Sequence, residues 1–220
     1  MVRVGVCLSG CGVFDGAEIH ESVLVLLALD EAGAEAVCFA PDCDQMHVVN
    51  HLTGDIAEGE SRNVLQESAR IARGEVVDAA QIGVDDFDAL IFPGGFGAAK
   101  NLCDFAVTGA DCSVHPDVER VVQGVVNAGK PLGVICIAPA MAAAALRDNP
   151  GSRLTIGNDS GTAEAMEALG AKHVDKTVGN IQVDRDRKIV STPAYMLAES
   201  IADADKGIRK LVAKVLELID

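Results

Sequence analysis

Strand-length apolar runs separated by helical stripes organise this chain. The runs at residues 2–8, 34–39, 89–92, 132–135 and 189–191 mostly lack polar alternation, the pattern of strands buried on both faces. Between them, three-to-four spacing predicts helices over residues 18–32, 62–73, 116–128, 137–147, 162–169 and 198–218. The last of these repeats apolar residues at Ile201, Ile208, Leu211, Val212, Val215 and Leu218, a stripe that reads as a core face. Strands alternating with helices predict an α/β fold with a doubly wound, mostly parallel sheet and helices on both faces. Its sites are expected at the carboxyl ends of the strands. Residues 42–61 and 101–115 lack periodic pattern and read as long loop insertions within a single domain over residues 1–220.

Composition narrows the picture. Hydrophobic residues make up 49% and aromatics only 3%, with no Trp, so the core is aliphatic and the chain is not disordered. A net charge of −15 repels a phosphate backbone and argues against nucleic acid as a partner. The longest uncharged run, residues 131–146, is broken by Pro139 and is shorter than the ~18 apolar residues of a membrane span. The opening "MVRVGVCLSGCG" lacks the apolar core of a secretory signal, which leads to the expectation of a cytoplasmic protein. Seven cysteines with no CxxC pair fit reduced thiols, one of them reactive, better than a disulfide framework.

The chemistry collects at strand ends. In "PLGVICIAPA", residues 131–140, Cys136 stands between an apolar strand and an alanine-rich helix, the strand-turn-helix setting of a nucleophile elbow. Amides at the helix start, Ile137 among them, and the positive end of its dipole favour a nucleophilic thiolate there. "ALIFPGGFGAAKNL", residues 89–102, ends another strand in a glycine pair, so Gly94, Gly95 and Phe96 are candidate oxyanion and substrate-binding residues. In "SGCGVFDGAEIHES", residues 9–22, Gly10 and Gly12 begin a dinucleotide-like pattern, but Asp15 stands where a small residue is needed and would repel phosphate, so no cofactor is expected. Glu18, at the start of the first helix, is the candidate carboxyl partner of Cys136, sharing a proton with it because two adjacent negative charges repel. No histidine has triad spacing. Cys103, Cys112 and His115 lack the short paired spacing of a zinc site, so no metal is expected either.

Taken in order, "LSGCGVFDGAEIHE", "CFAPD", "NHLTG", "FPGGFGAAKNL", "GKPLGVICIAPA", "LTIG" and "TPAYMLA" resemble the enhancing-lycopene-biosynthesis family across nearly the whole chain. These are isoprenoid-biosynthesis proteins with an amidotransferase-like domain, within the PfpI and Parkinsonism-associated deglycase superfamily. The resemblance implies a flavodoxin-like fold related to class I glutamine amidotransferases. It also implies Cys136 as nucleophile, Glu18 as its carboxyl partner, Gly95 in the oxyanion loop, and a homodimer. The implied activity is that of a glyoxalase, converting glyoxal-like 2-oxoaldehydes to hydroxy acids without glutathione or metal. Relatives often place a histidine after the elbow helix, but "SRLTIGNDSG", residues 152–161, has none, leaving His20, Asn158 or Asp159 as polar partners. A glutaminase is the first alternative, weakened by that absence, and a cysteine-based redox sensor or interaction protein is the second.

Overall fold

A computed structural model describes residues 1–219. In chain order the elements are β1 (Arg3–Cys7), α1 (Ile19–Glu31), β2 (Glu35–Ala40), α2 (Val64–Ile71), β3 (Val77–Asp78), β4 (Ala89–Phe92), α3 (Phe96–Lys100), α4 (Phe105–Thr108) and α5 (Pro116–Asn127). They continue as β5 (Leu132–Ile135), α6 (Ala138–Ala145), β6 (Arg153–Leu154), α7 (Ser160–Ala168), β7 (Lys172–His173), β8 (Gln182–Asp184), β9 (Ile189–Thr192) and α8 (Ile201–Glu217). Among the described residues, seven strands form one sheet in the order β3-β2-β1-β4-β5-β9-β8, parallel except for β8, which runs antiparallel to β9 at the edge. β6 and β7 pair apart from it.

Alternate residues of the central strands feed two aliphatic cores, which explains the unbroken apolar runs. Val4, Val6 and Ile91 pack with Val25, Leu29, Ile208, Leu211 and Val215 under α1 and α8. Leu90, Phe92, Leu132 and Val134 point the other way, into Val118, Val122 and Met141 of α5 and α6. All eight residues of α6 are buried, so that helix is apolar on every side. The α8 stripe is narrower than its sequence suggests, because Ile201, on the first turn, is exposed while residues 208, 211, 212 and 215 are covered.

The two predicted insertions differ. Residues 42–61 contain no helix or strand, only isolated bridges between Val49 and Ile56 and from Asp44 to Asn63, and the Val49 N–H is tied to Asp15 Oδ2 at 2.7 Å. The other, 101–115, folds into α4 and a 3-10 turn at Gly109–Asp111, closed by a bridge between Cys103 and Val114. After β3 the chain crosses to the far side of β1 to form β4, and this reversal of strand order opens a crevice at the carboxyl ends of β1 and β4. Beside it, β5 delivers Cys136.

Candidate active site

Cys136 and Ile137 alone separate β5 from α6. Cys136 has φ 61°, left-handed for a residue with a side chain, at a cost of about 1–2 kcal/mol. The turn is held by the Cys136 N–H donating to the Thr192 carbonyl on β9 at 3.0 Å. It aims the sulfur into the crevice, where the N–H groups of Gly95 and Ile137 face it.

The carboxyl against this sulfur is Glu21, not Glu18. Glu21 is wholly buried, its Oε2 accepting from the Gly94 N–H at 2.9 Å, its Oε1 from the Tyr195 N–H at 3.1 Å, and its carboxyl contacting the Cys136 thiol. Glu18 instead caps α1. Its Oε2 accepts from the Glu21 N–H at 2.7 Å, leaving Oε1 at the cavity wall, 4.0 Å from His20 Nδ1. One helical turn separates the two residues, and that turn carries Glu21 inward onto the buried stripe it shares with Val25, Ala28 and Leu29. This is the signal the sequence offered for Glu21: an acid in register with a helix's apolar face. Tyr195 had no such signal. Its amide reaches Glu21 because Ala194 adopts φ 41°, and its hydroxyl lies 2.9 Å from His20 Nδ1.

Of the four candidate amides, two remain available. Gly94 donates to Glu21, and Phe96 donates to the Val13 carbonyl at 2.8 Å, so Gly95 and Ile137 are the pair turned toward the sulfur. Gly94 is required sterically. A Cβ there would lie 2.4 Å from Cys136 Cβ and 2.6 Å from Glu21 Oε2.

Electrostatics reverse the expectation of a ready thiolate. Burial pushes the Cys136 thiol well above its ordinary range and the Glu21 carboxyl adds to this, against the opposing amides of Gly95 and Ile137. Burial likewise pushes Glu21 up to about 8, with the charge of Glu18 adding and the Tyr195 and Gly94 amides opposing. At neutral pH the pair therefore holds both protons. The lowered thiol is Cys112, drawn down to about 7 by a hydrogen bond from Cys103 and then by the Arg147 guanidinium, yet it is only 1% exposed.

Above Cys136 lies a cavity of about 410 Å³, walled by Glu18, Gly95, Ile137, Asp159 and an apolar arc of Val13, Phe96, Tyr195 and Met196. Asp159 caps α7 through the Thr162 N–H at 2.8 Å, whereas Asn158 is exposed and outside the wall. His20 reaches Tyr195 and Glu18 rather than the sulfur. Among the described residues no His, Cys, Asp or Glu cluster is arranged to hold a metal.

The flavodoxin-like sheet is the fold of amidotransferase-like and DJ-1/ThiJ/PfpI-like proteins. The comparisons agree. Human glutamine amidotransferase-like class 1 domain-containing protein 3, mitochondrial, is 52% identical over 98% of this chain and 83% of its own length. The rat mitochondrial ES1 protein homolog is 50% identical over 98% and 84%. The crystal structure of an isoprenoid biosynthesis protein with amidotransferase-like domain from Ehrlichia chaffeensis is 38% identical, with a TM-score of 0.93 over all of both chains. Glyoxalase III from Candida albicans, 14% identical with a TM-score of 0.64 over 100% of this chain and 98% of its own, shares the fold. No family profile matches the chain. The chain belongs to the ES1 family of glutamine amidotransferase-like class 1 domain proteins. These relatives overturn the cytoplasmic expectation, since both are named as mitochondrial. The expectation rested on the missing apolar core of a secretory signal, which bears on secretion, whereas an organelle address is read by receptors from a segment of different composition.

Proposed function

We propose that this protein is a cofactor-independent glyoxalase-type enzyme that converts 2-oxoaldehydes to hydroxy acids through Cys136. The sulfur bonds to the aldehyde carbon and the thiol proton passes to the carbonyl oxygen, giving a hemithioacetal. A proton then leaves the sulfur-bearing carbon and another arrives at its neighbour while the two oxygens exchange protonation, leaving a thioester. Water adds, the carbon–sulfur bond breaks, and glyoxal has become glycolate. One carbon is oxidised as the adjacent one is reduced, so no external electron acceptor is required.

Roles follow from placement. Glu21, behind the sulfur, exchanges protons with it; Glu18, on the cavity wall, moves the proton between carbons; Gly95 and Ile137 donate to the developing oxyanion. The observation that carries this reading is the partnership of Cys136 with the buried carboxyl of Glu21 in place of a histidine. Glutaminase chemistry must protonate departing ammonia, work suited to an imidazole, and none of the five histidines contacts the sulfur in the described residues. Aldehyde addition has no amine leaving group. The test is a parallel assay of glycolate from glyoxal and ammonia from glutamine, using wild type and Cys136→Ala. Cys136-dependent glycolate without ammonia is expected; Cys136-dependent ammonia alone reverses the assignment.

The same reading includes a homodimer. Ile19, Val23 and Leu27 lie along one face of α1, each more than 40% exposed, an apolar stripe suited to a second copy of the chain.

A further inference from the structure

We infer that the preferred substrate is an uncharged 2-oxoaldehyde carrying an apolar tail of several carbons, rather than glyoxal itself or an anionic metabolite. The inference rests on the glyoxalase reading of the same site and follows from the size, lining and charge of the cavity. At about 30 Å³ per heavy atom, the share of one water in the liquid, the four heavy atoms of glyoxal fill about 120 Å³. The cavity offers about 410 Å³. With the aldehyde carbon on Cys136 and its oxygen toward Gly95 and Ile137, roughly two thirds of the space is left for the rest of the substrate.

Much of that remaining space is bounded by apolar side chains. Val13, Ile137 and Met196 are aliphatic or thioether surfaces, and the Phe96 ring is 46% exposed at the wall, apolar area that a bound tail would take out of water. Tyr195 and Thr162 present hydroxyls, but His20 engages the first at 2.9 Å and Asp159 the second.

Charge sets the second restriction. The charged residues of the wall, Glu18 and Asp159, are both acidic, and the Asp159 carboxyl is held below its ordinary range by bonds from the Thr162 hydroxyl and N–H. Among the described residues, no Lys or Arg contributes to the wall. Lys100, 5.1 Å from the centroid of the Phe96 ring, is committed to the Phe14 carbonyl at 2.9 Å. A carboxylate or phosphate on the tail therefore meets two like charges and no cation, within a protein of net charge −15.

The experiment is a series of kcat/KM measurements on the full chain with glyoxal, methylglyoxal, straight-chain alkylglyoxals of four, six and eight carbons, and an eight-carbon alkylglyoxal ending in a carboxylate. Specificity should rise about two- to fourfold per added methylene, since part of each group's burial free energy is realised in the half-open cavity. The carboxylate compound should fall at least tenfold below its neutral counterpart. Met196→Lys, which puts a cation on the wall, should narrow or invert that preference. A flat or falling tail-length series with Cys136-dependent turnover of glyoxal overturns this inference and leaves the glyoxalase reading standing. Absence of Cys136-dependent turnover for every aldehyde removes both.

Discussion

Replacing Glu21 with Gln should make the protein less stable in acid and more stable at pH 8. The folded protein holds the Glu21 proton up to about pH 8, against 4.5 for an ordinary glutamate, so the native state binds that proton more tightly than the unfolded chain does. The stability it contributes is therefore complete below pH 4.5 and is lost as pH rises through 8. Each pH unit in that window costs the wild type about 1.4 kcal/mol, and the whole window costs about 5 kcal/mol. Gln escapes this loss because it does not titrate. It pays a constant penalty instead: Gly94 and Tyr195 each donate an N–H to one oxygen of Glu21, and an amide has only one oxygen, so one buried N–H loses its acceptor at about 1–3 kcal/mol. The two stability curves should cross between about pH 5 and 7, with Glu21→Gln ahead by about 2–4 kcal/mol at pH 8. Urea unfolding of both proteins at pH 5, 6, 7 and 8 reads this directly. The Cys136 thiol titrates above that range and does not confuse the comparison. A difference that stays constant with pH would refute a raised Glu21.

Three further outcomes test the site and its surroundings. Glu18→Gln can still cap α1 through its amide oxygen, so the fold should survive with at most about 1 kcal/mol lost, while turnover falls at least a hundredfold and the Cys136 adduct still forms by intact-mass spectrometry. Iodoacetamide labelling of Cys136 should climb through pH 8 and beyond without a plateau near neutrality, and Cys112, despite its lowered thiol, should stay unlabelled until the protein unfolds; a neutral plateau at Cys136 would restore the preformed thiolate. Val23→Lys should convert a dimer into a monomer by light scattering, and equal masses for the two proteins would remove α1 from any interface.

What the sequence made legible was local. The junction of β5 with α6 could be read because an apolar run, a cysteine and an alanine-rich helix follow one another directly, and the mostly parallel sheet because its central strands are apolar on both faces. The two-residue strands β3, β6 and β7 carry too few positions for any periodicity, and antiparallel β8 owes its place to the partner it meets at the edge. Within the site, the choice between Glu18 and Glu21 depended on which way one helical turn faces the sheet. The loss of Gly94 and Phe96 as free donors depended on Glu21 and on Val13, far away in the chain. Tyr195 lies 174 residues from the carboxyl its amide holds, so nothing in its own neighbourhood announces it.

The left-handed backbone at Cys136 bears on how this protein would respond to selection for heat resistance. Glycine at that position adopts the same turn without the steric conflict, so Cys136→Gly should outlast Cys136→Ala by about 1 kcal/mol although both lack the sulfur. Glu21→Gln is likewise favoured above neutrality. A laboratory lineage screened for melting temperature alone would thus drift toward loss of the proposed nucleophile and its carboxyl, arriving at a sturdier protein without the proposed activity. Consensus or ancestral design on this fold should hold positions 21 and 136 fixed and seek its gains elsewhere.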